Sequence, residues 1–320
     1  MEYRVLGKTG IRVSAVAFGA WALGGPGEWG WGPVNDAESI ASIRRAMDLG
    51  VTLIDTADAY GAGHSEEVVG RALGARRKEV VVATKFGVVL DEHGNEVGVN
   101  GGRDYILRAC EASLKRLQTD WIDLYQMHTP DEATPLEETM AALATLLRQG
   151  KIRAIGVSNF SLAQLEAASH LTQLASDQPP YSLFRREIEQ DVLPWCVGRG
   201  MSVLAYAPLA HGLLSGAFKP DRALPEGDWR SRDQHFRGEG LNHNLQVVER
   251  LRAIAASSGH TVAQLAIAWV LSRSPNLIAL VGTRRASQIE VTAAAGDWHL
   301  TAEEMHLTED AARDAIPVMI

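Results

Sequence analysis

The chain has 320 residues, 46% of them hydrophobic and 22% charged, and a formal net charge of −8. That length exceeds an average domain yet suits a single α/β barrel, and the composition excludes an extended disordered chain. The negative charge, with no Lys/Arg block, argues against nucleic-acid or anionic-lipid partners.

The N-terminus lacks a secretory leader, and no apolar run reaches the length of a membrane span, so a cytoplasmic protein is expected. YRVL and IRVS flank Lys8-Thr9-Gly10 and read as a hairpin able to plug the base of a barrel. Eight short β-rich runs then follow, at 16–20, 51–55, 79–85, 121–128, 151–158, 172–178, 201–206 and 276–282. Between them lie amphipathic segments such as DAESIASIRRAMDLG, RDYILRACEASLKRL and PLEETMAALATLLRQG, with Gly50 and Gly150 as stop signals. Alternation of strand and helix implies parallel strands joined by crossovers, and the count predicts a closed (β/α)₈ TIM barrel. One domain over 1–320 is expected, with the N-terminal hairpin in front and extra C-terminal helices after Arg284 and near 301–312. The connections 87–102 and 207–242 are long and polar, as lids and binding loops are. Cys110 and Cys196 each sit in an apolar-periodic stretch and are expected to be reduced core thiols.

The chemistry of such a barrel sits at the C-terminal ends of its strands. Asp55 and Tyr60 follow the second run, Lys85 ends the third and His128 ends the fourth. Each alone has a plain structural explanation, but together they form an acid–base cluster at the reactive face. A phenol titrates near ~10 and needs nearby positive charge to exchange protons at neutral pH. Lys85 can supply that charge and is expected to lower the Tyr60 pKa, Asp55 can keep the lysine protonated, and His128 can orient a substrate oxygen.

Several motifs in order then resemble the aldo-keto reductases. They are Ile54-Asp55-Thr56-Ala57-Asp58-Ala59-Tyr60-Gly61 with Ser65-Glu66, Ala83-Thr84-Lys85-Phe86-Gly87, Ser113-Leu114-Lys115-Arg116-Leu117, Asp123-Leu124-Tyr125-Gln126-Met127-His128 and Gly156-Val157-Ser158-Asn159-Phe160. The resemblance covers the chain from the hairpin to about residue 290. It implies an NAD(P)(H)-dependent oxidoreductase that reduces an aldehyde or ketone, a sugar among the options, or runs the reverse. Tyr60 would be the general acid, tuned by Lys85 and Asp55, with His128 orienting the carbonyl. Ser158, Asn159 and Gln178 would bind the nicotinamide carboxamide and Tyr206 would stack on its ring. Pro208, Leu209, Gly212, Leu214 and Gly216 would belong to the pyrophosphate loop, in which Ala207 replaces the usual serine.

No GxGxxG opens a helix after a strand, so a Rossmann site is not supported. Gly282, Thr283, Arg284, Arg285 and Gln288 fall where the family meets the adenosine 2′-phosphate and adenine. Two arginines at a helix start, where cations are disfavoured, suggest a bound anion and hence NADP(H) in preference to NAD(H). Val291 and Thr292 stand where relatives commonly carry Glu and Asn, which weakens adenine recognition. Trp21, matching a family pocket residue, is expected to line the substrate pocket with Trp29, Trp31 and Phe86. The sequence shows no HExxH or Cys cluster, so no metal site is expected. Two rivals remain at this point: a barrel aldolase with a Schiff base on Lys85, and a non-catalytic cofactor-sensing subunit. The substrate, the reaction direction and the oligomeric state are open.

Overall fold

The computed structural model describes residues 1–221 and 223–318. Its centre is a closed barrel of eight parallel strands that neighbour one another in chain order: Val16–Gly19, Leu53–Asp55, Val81–Phe86, Leu124–Met127, Ile155–Ser158, Ser176–Gln178, Ser202–Ala205 and Leu277–Gly282. Each expected run overlaps one of these strands; the strands are shorter than the runs because only ladder-paired residues belong to them, and the third extends one residue past its run, to Phe86. Thus 74–79 is a 3-10 turn, and before the fourth strand only the isolated bridge Ile122–Ile152 forms.

Strand alternation sorts the side chains into two cores. Ala17, Leu53, Val81, Ala83, Leu124, Ala154, Ala175, Leu204, Ile278 and Leu280 fill the barrel. The alternate residues, Phe18, Ile54, Val82, Tyr125 and Val157 among them, meet the surrounding helices. The N-terminal hairpin, Tyr3–Val5 paired with Arg12–Ser14, closes the base as expected. It inserts Leu6 and Val13, both fully buried in the inner core, and each such burial stabilises by roughly 1.5–3 kcal/mol.

The three quoted amphipathic segments form Asp36–Asp48, Arg103–Leu117 and Leu136–Arg148. Asn35 caps the first, its side chain accepting from the Ala37 and Glu38 amides. The C-terminal helices are Ala286–Ala293 and Ala302–Ala311. Cys110 and Cys196 are buried and unpaired, and burial pushes the Cys110 thiol up to about 12. Connection 87–102 carries a hairpin of its own, Val88–Leu90 with Glu96–Val99. The other long connection ends sooner than expected, because the helix Gly238–Ser257 starts inside 207–242, and 3-10 turns at Trp229–Ser231 and Gln234–Phe236 precede it. Among the described residues, no single helix is long and apolar enough to cross a membrane.

Candidate active site

The inward face that is apolar through the barrel turns polar at its C-terminal mouth. Leu53 points inward, so Asp55 does too, and the same spacing carries Ala83 to Lys85 and Leu124 to Gln126. Lys85 Nζ, fully buried, donates to Asp55 Oδ1 at 2.5 Å, to the Thr56 carbonyl at 2.9 Å and to the Tyr60 hydroxyl at 3.1 Å. Asp55 Oδ2 accepts from Gln126 Nε2 at 3.1 Å and Gln178 Nε2 at 2.9 Å. The His128 ring stands edge-on to Tyr60 with centroids 5.6 Å apart. Gly61, at φ +61°, lets the chain pass Gly24 so closely that a Cβ would lie 2.0 Å from the Gly24 carbonyl. This contact fixes where Tyr60 stands against the loop after the first strand. The motif residues Ser65 and Glu66 are supports: Ser65 Oγ donates to the Ala20 carbonyl at 2.9 Å, and buried Glu66 joins Thr84 and Arg116, both at 2.6 Å.

Burial sets the proton affinities. It alone would lower the Lys85 ammonium, but the Asp55 carboxylate and Tyr60 oxygen outweigh it, and the net direction is up. Lys85 therefore holds its proton. For Tyr60 desolvation is the largest influence and raises the phenol, and Lys85 lowers it as expected without outweighing burial, so the net direction is up. His128 is pushed down to about 3, by burial first and by Lys85 second, so it is a neutral imidazole. Its Nδ1 is buried with no hydrogen-bond partner among the described residues.

On the opposite side, Ser158 Oγ donates to the Gln178 carbonyl at 2.7 Å, and Asn159, at φ +61°, bridges the His128 carbonyl at 3.0 Å and the Tyr206 hydroxyl at 3.0 Å. These groups gather beside Asp55, Lys85 and Tyr60 as the sequence order requires. The Gln178 amide itself is turned onto Asp55 and Gln126. Along 207–216 the backbone is strained, with Ala207, Ala210 and His211 all at positive φ. Pro208 is buried, and Leu214 is fully buried in the outer core, so only its main chain can serve the loop. Gly212 and Leu214 donate their amides to the Leu209 carbonyl, and Gly216 offers its carbonyl to Arg252. Beyond Gly282, Thr283 Oγ1 bonds the Arg285 carbonyl. Gln288 Oε1 accepts from the amides of Arg284 and Arg285 at 2.9 and 3.1 Å, making it a helix cap in this structure.

Aromatic rings roof the mouth. Trp21 stacks near Tyr60 at 6.3 Å and meets Trp31 edge-on at 5.2 Å. Trp29 is exposed at the rim, and its carbonyl accepts from Trp21 Nε1 at 3.1 Å. Phe86, expected in the pocket, is not there. Because Lys85 points inward, Phe86 points outward, and it packs fully buried against Tyr125 at 4.8 Å.

Reading the sequence missed three contributors. Gln126 was available from the alternation two residues before His128. Trp229 and His211 arrive from the 207–237 loop: Trp229 stacks on Trp21 at 6.0 Å, and its amide donates to the Gly30 carbonyl at 2.9 Å. His211 stands edge-on to Trp21 at 5.8 Å. Buried Arg230 fixes the loop by a forked pair with Asp228, by a bond to the His211 carbonyl at 3.0 Å and by lying 4.4 Å over the Trp31 ring.

Comparison with known proteins agrees with this architecture. Residues 15–313 match the model of the Aldo/keto reductase family. The chain is 41% identical over 307 residues to aldo-keto reductase YhdN of Bacillus subtilis, covering 95% of this chain and 91% of that protein. Among solved structures it resembles a glycerol dehydrogenase from Gluconobacter oxydans, with a TM-score of 0.88, 38% identity and coverage of 99% and 97%. It also resembles an aldo/keto reductase from Klebsiella pneumoniae solved with NADP and acetate, with a TM-score of 0.76, 32% identity and coverage of 99% and 96%. This chain belongs to the aldo/keto reductase family.

Proposed function

We propose that this oxidoreductase reduces the carbonyl of a small aldehyde or ketone, or oxidises the matching alcohol, using NADP(H) in preference to NAD(H). The observation that carries the reading is the buried Lys85 ammonium, bonded at once to Asp55 and to the Tyr60 hydroxyl. A dinucleotide fits the residues at the mouth: the His128 Nδ1 lacks a partner, the 207–211 backbone is strained, and exposed Arg285 makes no side-chain hydrogen bond or ion pair among the described residues. The Klebsiella relative holds NADP on the same fold. Ser158, Asn159, Gln178 and Tyr206 would hold the nicotinamide end, the 208–216 loop the pyrophosphate, and Arg285 the 2′-phosphate. When bound, the reduced nicotinamide supplies a hydride.

The protein's own groups handle the proton. Neutral His128 orients the carbonyl oxygen, and Tyr60 delivers its proton to that oxygen as negative charge develops there. Lys85 stabilises the phenolate left behind, and Asp55 keeps Lys85 charged. A Schiff base on Lys85 would need the neutral amine, which the raised pKa opposes. We place the protein in the cytoplasm, where its two free thiols stay reduced.

The test is purified protein with NADPH or NADH against aldoses, keto-steroids, aryl aldehydes and short ketones, followed at the nicotinamide absorbance. Oxidation of NADPH by at least one class is expected. Tight NADPH binding with no turnover across the panel would instead favour a sensing subunit.

A further inference from the structure

Of the two arginines at the start of the helix Ala286–Ala293, only one is free for a phosphate. Arg284 Nη1 donates to the Trp31 carbonyl at 2.9 Å, and its Nη2 donates to the Pro33 carbonyl. The guanidinium is half-buried by these contacts, whereas Arg285 stays exposed. Trp31 lies between two arginines, its backbone held by Arg284 and its ring under Arg230. Its ring meets Trp21 at 5.2 Å, Trp229 at 6.0 Å and His211 at 6.5 Å, and Trp21 in turn covers Tyr60.

We infer that Arg284 is a positioning residue for the substrate pocket, clasping the loop 31–33 so that Trp31 holds the aromatic wall over Tyr60, while Arg285 alone meets the 2′-phosphate. This inference rests on the proposed reductase reading and divides between two residues a role that the sequence gives to both. A planar guanidinium reaches the two carbonyls from two separate nitrogens held at fixed spacing, which the single nitrogen of a lysine does not reproduce, whereas a lysine remains a good phosphate partner. Arg284→Lys therefore separates the two roles.

The experiment compares wild type, Arg284→Lys, Arg284→Ala and Arg285→Ala. It measures Kd for NADPH and NADH, carbonyl KM for para-nitrobenzaldehyde and glyceraldehyde at saturating NADPH, and amide exchange of peptides covering 25–34 in the cofactor-free protein. Both Arg284 variants are expected to exchange faster over 25–34 and to raise carbonyl KM about threefold to tenfold, the size of one ordinary hydrogen bond lost. Arg284→Lys should keep the NADPH preference, and Arg285→Ala should lose it. Unchanged carbonyl KM in both Arg284 variants overturns the inference, whatever the exchange shows. So does a loss of NADPH preference in Arg284→Ala equal to that in Arg285→Ala. If wild type reduces no carbonyl, the functional reading fails, and exchange over 25–34 still decides whether the clasp exists.

Discussion

At the base of the barrel Arg4 is buried and bonds the carbonyls of Leu271, Ser274 and Leu277, and buried Asp123 accepts from Arg77, Arg153, the Trp121 indole and the Val82 amide. At the mouth, His128 Nδ1 and the indole nitrogens of Trp31 and Trp229 are buried without partners, as are side-chain atoms of Ser42, Trp195, Trp269 and Thr308 in the helical layer. The backbone differs more sharply: of the non-glycine residues at positive φ among the described residues, Ala62, Asn159, Ala207, Ala210 and His211 border the mouth, and only Gln118 caps a distant helix. Satisfied buried polarity holds the base, whereas backbone strain gathers at the end kept for a ligand.

The sharpest way to break this contrast is to delete the acid at the mouth. Tyr60→Phe should lower turnover by about 10² to 10⁴, the usual contribution of a positioned proton donor, with the urea midpoint unchanged. A loss below about tenfold with cofactor affinity intact would remove Tyr60 from the chemistry. The reverse experiment is at the base, where Arg77→Ala removes one partner of a buried ion pair. It should cost about 3–5 kcal/mol of stability in urea unfolding while leaving kcat per folded molecule unaltered. A comparable fall in kcat would mean that the two ends are not separable.

A smaller effect concerns pH. His211, like His128, is pushed down to about 3 from an ordinary 6.5, by burial first and then by Arg185 and Arg230. Between those values the unfolded chain binds protons that the folded chain does not, so stability is lost as pH falls below 6.5. At pH 5 each buried histidine costs about 2 kcal/mol. In His211→Phe, the difference in unfolding free energy between pH 7.5 and pH 5 should shrink by about that amount. An unchanged acid loss would show that His211 is not held neutral.

The eight strands, the plugging hairpin and the Asp55, Lys85, Tyr60 and His128 cluster were legible because two-residue alternation and chain order determine them locally. Gln126 obeys the same alternation. Phe86 was misplaced by its nearness to Lys85 in sequence, although adjacent strand residues face opposite sides. Trp229 and His211 were not legible, since their return over Trp21 depends on contacts such as the Trp229 amide with the Gly30 carbonyl, which join segments about 200 residues apart in the chain. Arg284 and Arg285 look alike in sequence, and only the loop packed beside them distinguishes their roles.

The most direct test of the Asp55–Lys85–Tyr60 unit is the pH profile of alcohol oxidation in wild type and Lys85→Met. Oxidation needs the Tyr60 phenolate as base, so its rate should rise with pH, and Lys85 is the group that holds the burial-raised Tyr60 pKa down. Without the ammonium, the rising limb should move to higher pH by about one pH unit or more. Profiles that overlay would contradict the claim that Lys85 controls the proton on Tyr60.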